Sequence, residues 1–119
     1  MLPVIVITAF LDMQAAPPQP QTEPPRLISY AEAVACTGVT QAASELEGGE
    51  SAEGRALYDA ALYWSLSTIQ ASAIRGDNPE ASELQISRAR LNAVRRLSAG
   101  DEEIRRTLRE CRQKTPAMR

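Results

Sequence analysis

Two cysteines, Cys36 and Cys111, lie near the two ends of a region in which apolar residues recur at helical spacing. Two cysteines allow only one intramolecular pairing, and an even number in an exported chain indicates a disulfide. A bond between them requires the first and last helices of the region to lie side by side. We therefore predict a Cys36–Cys111 disulfide, and this pairing restricts the possible folds more than any other feature.

Other roles for these cysteines are less well supported by the sequence. A structural zinc site needs four ligands, and because the chain has no histidine, only carboxylates could join the two thiolates. A redox-active pair is more often a Cys-x-x-Cys motif. In a reducing compartment both cysteines would be free, partly buried thiols. We predict no metal site and no cofactor.

The N-terminus points to export. Residues 2–11 form an apolar segment that is too short to span a bilayer as a helix, which needs about 20 residues. Its length matches the apolar part of a signal peptide, and the small residues Ala15 and Ala16 follow it. No Lys or Arg precedes the segment and Asp12 follows it directly, which a true start upstream of Met1 would explain. The alternatives to export are a disordered apolar tail and an uncleaved interfacial anchor. We predict a periplasmic or secreted protein without a stable membrane span.

The chain divides into four parts by composition. Residues 1–16 are a signal peptide or apolar N-terminal segment, and residues 17–28 are a linker that contains five prolines. Such a linker favours the extended polyproline II conformation, and it serves as a spacer or as a ligand for a proline-binding domain. Residues 29–114 form the folded domain, and residues 115–119 are a C-terminal tail.

Local signals divide the folded domain into helices. Side chains that cap the start of a helix alternate with glycines or prolines that end one. Long β-branched runs are absent from the domain, which argues against a sheet. We predict an all-α, up-and-down bundle of about four helices. The starting signals are Ser29 with Glu32, Ser51, Asn78 with Pro79, and Asp101; the ending signals are Gly48 with Gly49, Gly76, Gly100 and Pro116.

The second predicted helix is apolar on nearly all sides, which is typical of a buried helix. We therefore predict that it is the central helix, with Trp64 in the core. One of its faces consists of Leu57, Ala61, Trp64, Thr68 and Ala71, and another of Tyr58, Leu62, Leu66, Ile69 and Ala73.

Two charged residues are each isolated among apolar residues on their helix. Asp59 is the only charge between Arg55 and Arg75, and Arg90 is isolated on a broad apolar face of the third helix. We predict a buried structural ion pair between Asp59 and Arg90. The alternatives are an Arg90 whose stem lies along the core while its head reaches water, or a polar feature of a binding cleft.

Charge is unevenly distributed along a chain with a net charge of −2. Residues 27–87 have an excess of acids and residues 88–119 an excess of bases. The simpler interpretation is that acidic and basic helices pack beside each other; the alternative is a basic surface for an anionic partner. Nucleic acid is an unfavourable partner because the chain is net acidic and contains a single lysine.

The sequence argues against catalysis more clearly than it indicates a role. Without histidine, a Ser-His-Asp or Cys-His arrangement is impossible. We predict a small exported non-catalytic helical protein that binds another protein or serves as an accessory module of the cell envelope. The alternatives are a periplasmic chaperone or inhibitor and a membrane-tethered structural protein. The oligomeric state does not follow from the sequence.

Overall fold

The computed structural model describes residues 27–117, which form four α-helices. The predicted all-α bundle is confirmed, and a disulfide joins its first helix to its last. The predictions for residues 1–16 and for most of the linker at 17–28 lie outside the described residues. The helices are α1 (Tyr30–Glu47), α2 (Ala52–Arg75), α3 (Pro79–Ser98) and α4 (Glu102–Lys114).

Each helix begins at a side chain that accepts a backbone hydrogen bond. The Ser29 hydroxyl accepts from the N–H of Glu32, and Ser51, Asn78 and Asp101 do the same at the starts of α2, α3 and α4. These bonds satisfy N–H groups that have no partner within the first turn of a helix. The short-range signals in the sequence therefore determine where each helix starts.

The central helix is α1 and not α2, so the prediction for α2 is wrong. α1 packs against all three other helices, and most extensively against α2 and α3. Residues 36–40 of α1 are all buried, whereas α2 exposes several of its large apolar side chains. The small side chains of α1 explain this arrangement, because a helix that is surrounded by three others must have a small cross-section. The apolar character of α2 indicated burial on all sides, but only one of its faces meets the bundle.

α1 and α3 come into close contact at Gly38. A Cβ atom added to Gly38 would lie 2.5 Å from the Cβ of Ala89 and 2.8 Å from its carbonyl carbon. Both distances are shorter than van der Waals contact between carbon atoms, which is about 3.5–4.0 Å. The two backbones can approach this closely only because position 38 has no side chain.

Buried hydroxyl groups lie between α1 and α2. Thr37 Oγ1 donates to the carbonyl of Ala33 at 2.7 Å and lies 3.0 Å from Thr68 Oγ1, which itself bonds to the carbonyl of Trp64. Thr40 Oγ1 donates to the carbonyl of Cys36 at 2.7 Å. Within residues 27–117, no buried side-chain nitrogen or oxygen lacks a hydrogen-bond partner. Threonines can therefore fill this contact without the cost of an unsatisfied polar group.

The disulfide and Trp64 lie together in the core, as predicted. Cys36 and Cys111 are buried and bonded, with their Cα atoms 5.5 Å apart. Trp64 is 1% exposed, and its Nε1 donates to Thr115 Oγ1 at 2.9 Å. Ala33, Val39, Ala42, Ala93 and Ile104 complete the buried cluster. The disulfide thus attaches α4 at the same place where the largest core side chain sits.

Ion pairs connect the basic end of the chain to its acidic part. Arg112 of α4 binds Glu53 of α2 through two hydrogen bonds of 2.6 and 3.0 Å, and Lys114 Nζ lies 2.7 Å from Glu32 Oε2. The hydrogen bond from Arg112 lowers the pKa of the Glu53 carboxyl below its usual value. These pairs are exposed and contribute little to stability, but they agree with packing of acidic helices beside basic ones.

Candidate protein-binding groove

Four large apolar side chains form an exposed row along α2. Tyr58, Leu62, Leu66 and Ile69 are 57%, 41%, 59% and 61% exposed. Their spacing of three and four residues places them on one face of the helix, opposite the face that contains Trp64. Single exposed apolar residues are ordinary, but a contiguous row of them indicates an interaction surface. We call these four residues the α2 stripe.

A groove runs beside the α2 stripe and begins between α2 and α3. The two helices meet near the turn that joins them, where Ser82 Oγ donates to Ser72 Oγ at 3.0 Å, but each packs mainly on α1. A hollow of about 400 Å³ lies between them, with Ile69 and Ala73 on one wall and Ile86 on the other.

A second hollow continues the first along α2. It has a volume of about 210 Å³ and shares Ser65 with the larger one. Its lining includes Tyr58 and Leu62 from α2 and Gln41 and Glu45 from α1. We call the two hollows together the groove: the larger hollow lies between α2 and α3, and the smaller lies between α2 and α1.

The groove has charged ends and an apolar middle. Asp77 and Glu83 lie at the end next to the α2–α3 turn. At the other end Arg90 of α3 reaches Glu45 of α1, with Nη1 3.1 and 3.3 Å from the two carboxylate oxygens. Between these ends the α2 wall is uncharged. Such a surface suits the apolar face of another helix, with polar contacts at its ends that define orientation.

The predicted ion pair between Asp59 and Arg90 is not formed. Asp59 is exposed and lies on the flank of α2 that faces α4, in a shallow hollow also lined by Arg112. Arg90 instead binds Glu45, as described above, and both members of that pair are partly exposed to solvent. The physical reason is the central position of α1, which brings the acidic end of α1, and not α2, next to the polar flank of α3.

Metal-binding clusters and membrane-spanning helices are both absent from the described part of the chain. Among residues 27–117, no group of three or more His, Cys, Asp and Glu side chains is arranged to hold a metal ion. Within the same range, no helix is both long and apolar enough to cross a membrane. Both cysteines are bonded to each other, so neither is a free thiol.

The sequence already shows the apolar face of α2 that borders the groove, but this face was interpreted as part of a buried helix. Tyr58, Leu62, Leu66 and Ile69 recur as a second apolar face of α2, distinct from the face that includes Trp64. A helix with two apolar faces is either buried or holds one face for a partner. Only the tertiary packing shows that α2 contacts the bundle through one face.

No protein-family model, curated protein or solved structure matches this chain.

Proposed function

We propose that this chain is a small exported non-catalytic helical protein that binds another protein, as an accessory module of the cell envelope. The groove and the α2 stripe are its binding surface. The observation that carries this proposal is the row of four large apolar side chains that α2 exposes along one face. Exposure of such a row in water is unfavourable, and a partner that covers it gains about 25 cal/mol for each Å² of apolar surface removed from water.

The disulfide supports export. Disulfides persist in oxidising compartments such as the periplasm or the extracellular space, and they are rare in the reducing cytosol. The Cys36–Cys111 bond is buried inside the bundle and joins its first and last helices. It therefore acts as a structural bond, and its formation requires a compartment in which thiols are oxidised.

A periplasmic chaperone or inhibitor is the second candidate, and the same groove favours it. An apolar surface with few charges can hold apolar segments of many different proteins. A dedicated binding module and a chaperone differ in the number of partners. The first contacts one protein through the groove, whereas the second contacts many unfolded chains.

Photo-crosslinking from the groove tests the proposed function. We expect p-benzoyl-phenylalanine at Leu66 to form one discrete crosslinked product in cells of the source organism. The substitution Ile69→Glu in the same chain should lower its yield by about 10-fold, because a carboxylate pressed into an apolar contact costs more than about 1.4 kcal/mol. Immunoblotting measures both the number of crosslinked products and their yield.

Arg109 provides the matched control, because it is exposed on α4, away from the stripe. The photoreactive residue at this position should give no such product. Many products that all depend on Ile69 would favour the chaperone. Equal crosslinking from positions 66 and 109, or none from position 66, would contradict binding through the groove.

The export proposal has its own test at the N-terminus. Small residues at the end of the apolar segment lead us to expect cleavage near residue 15 or 16. N-terminal sequencing of the protein from its native host should therefore begin close to Ala16 or Pro17. An uncleaved chain in the membrane fraction would instead favour the tethered structural protein, and an uncleaved chain in the cytoplasm would refute export.

A further inference from the structure

The α2 stripe has charges of opposite sign at its two ends. Arg55 lies near the N-terminal end of α2, and its spacing from Leu62 and Leu66 places it on the face of the stripe. Asp77 follows the C-terminal end of α2 and lines the groove. In the sequence, Leu66 stands midway between Arg55 and Asp77. A second α2 helix that runs antiparallel and is centred on Leu66 therefore places each charge opposite its counterpart.

We infer that the groove binds a second copy of this chain. The two α2 helices pack antiparallel about a two-fold axis near Leu66, and the stripe of each copy lies in the groove of the other. Such an interface is isologous, so the contact between Arg55 and Asp77 forms twice. This inference rests on the proposed role of the groove as a protein-binding surface and names the bound protein as a second copy of this chain. The single crosslinked product expected from Leu66 is then the homodimer.

Of the remaining charges, Arg75 competes with Arg55 of the other copy, because its Nε lies 3.1 Å from Asp77 Oδ2. The Arg75 guanidinium also lies over the Tyr30 ring, 4.3 Å from its centroid, and this contact can hold it when Arg55 approaches.

The other charges do not oppose the arrangement. Glu83 adds a second carboxylate to the end of the groove that receives Arg55. Asp59 lies on the flank of α2 that faces α4, and Arg90 is neutralised by Glu45. A parallel arrangement would place Arg55 beside Arg55 of the other copy, which is unfavourable. The charge pattern therefore selects the antiparallel orientation.

Arg55 and Asp77 remain available for such contacts. Arg55 Nη1 donates to the Glu50 carbonyl at 2.9 Å, and Asp77 Oδ2 lies 3.1 Å from Arg75 Nε. Both contacts are local and lie at the protein surface, where single ion pairs contribute little. A second copy can therefore use these side chains without loss of an important internal bond.

The surface is large enough for a specific dimer. α2 has 24 residues and is about 36 Å long at the rise of an α-helix. With the adjacent wall of α3 the face is about 20 Å wide, the combined width of two helices of about 10 Å each. The resulting area of about 700 Å² per copy is close to the roughly 800 Å² that each partner contributes to a standard interface.

Sedimentation of the oxidised mature chain, which is expected to begin near Ala16 or Pro17, tests the inference. Across roughly 1–100 μM we expect a monomer–dimer equilibrium, because an interface of this size supports micromolar binding. Leu66→Glu should raise the dimer Kd by about 30-fold or more, since it places a carboxylate from each copy at the centre of the contact. A chain that stays monomeric at the highest concentration overturns the inference, and so does a dimer that Leu66→Glu leaves unchanged.

An exchange of charges tests the orientation without a change in the apolar stripe. Arg55→Asp and Asp77→Arg should each weaken the dimer, because like charges then meet at both ends. An equimolar mixture should form a heterodimer at least about 10-fold more tightly than either variant alone, because opposite charges face again. Circular dichroism checks that both variants keep the fold. A mixture that associates no better than the separate variants overturns the antiparallel arrangement.

The two proposals fail in different ways. A monomeric chain that still crosslinks from position 66 to a different protein refutes the dimer and leaves the groove as a binding surface. A monomeric chain without crosslinks from this position refutes both.

Discussion

Loss of the disulfide is expected to lower the free energy of unfolding by about 4 kcal/mol, because the bond closes a loop between residues 75 apart in the sequence. This value follows from the conformational freedom that the bond removes from the unfolded chain. The variant Cys36→Ser/Cys111→Ser should keep its helical circular dichroism, since the capping bonds and helix contacts remain. Its melting temperature should fall by roughly 15–30 °C for a domain of this size.

Urea unfolding, followed by circular dichroism at 222 nm, gives the free energies of unfolding of the oxidised wild type and of the double variant. The matched control is the wild-type chain after reduction, which has the same sequence as the oxidised protein and should unfold at nearly the same urea concentration as the double variant. Peptide mapping without reduction should recover Cys36 and Cys111 in one linked product. Two thiols that alkylate freely in native protein, or equal stability of oxidised and reduced chains, would show that the bond does not hold α1 against α4.

Gly38→Ala is expected to destabilise the bundle by about 2–3 kcal/mol, although alanine favours a helix by about 1 kcal/mol over glycine. The added Cβ would overlap the side chain and backbone of Ala89, so α1 and α3 would have to move apart. Such a shift also loosens neighbouring core contacts, because packed interiors do not absorb extra volume freely. Urea unfolding at 222 nm measures the net effect.

Gly49 provides the control for this substitution. It lies in the turn between α1 and α2, and a Cβ added there meets nothing within 4 Å. Gly49→Ala should therefore leave the free energy of unfolding within about 0.5 kcal/mol of the wild type, as is usual at surface positions. If Gly38→Ala were equally neutral or stabilising, the close contact between α1 and α3 would not exist in solution.

The helices and the disulfide could be predicted because short-range chemistry determines them. Ser29, Ser51, Asn78 and Asp101 mark the starts of helices by hydrogen bonds that reach only two or three residues ahead. The pairing of Cys36 and Cys111 needed only one further premise, that the first and last helices of a bundle lie together. These features do not depend on which helix occupies the centre.

The centre of the bundle and the groove depend on which helix faces pack together. Apolar content favoured α2 as the central helix, but the small residues around Gly38 let α1 occupy that place, and α2 keeps one apolar face exposed. The predicted pairing of Arg90 with Asp59 was wrong for the same reason. The position and rotation of each helix decide whether Arg90 lies near Glu45 of α1 or Asp59 of α2. Hydrophobic periodicity identifies faces, but it does not say which faces meet.

The central position of α1 has a consequence for the order in which the protein assembles. α1 leaves the ribosome before the three helices that surround it. It gains stable contacts only after α2 and α3 have followed, and Cys36 meets its partner only when the last helix has been made. The first helix of the chain therefore depends on all three later helices for its burial, so its enclosure cannot be complete before synthesis of the domain ends.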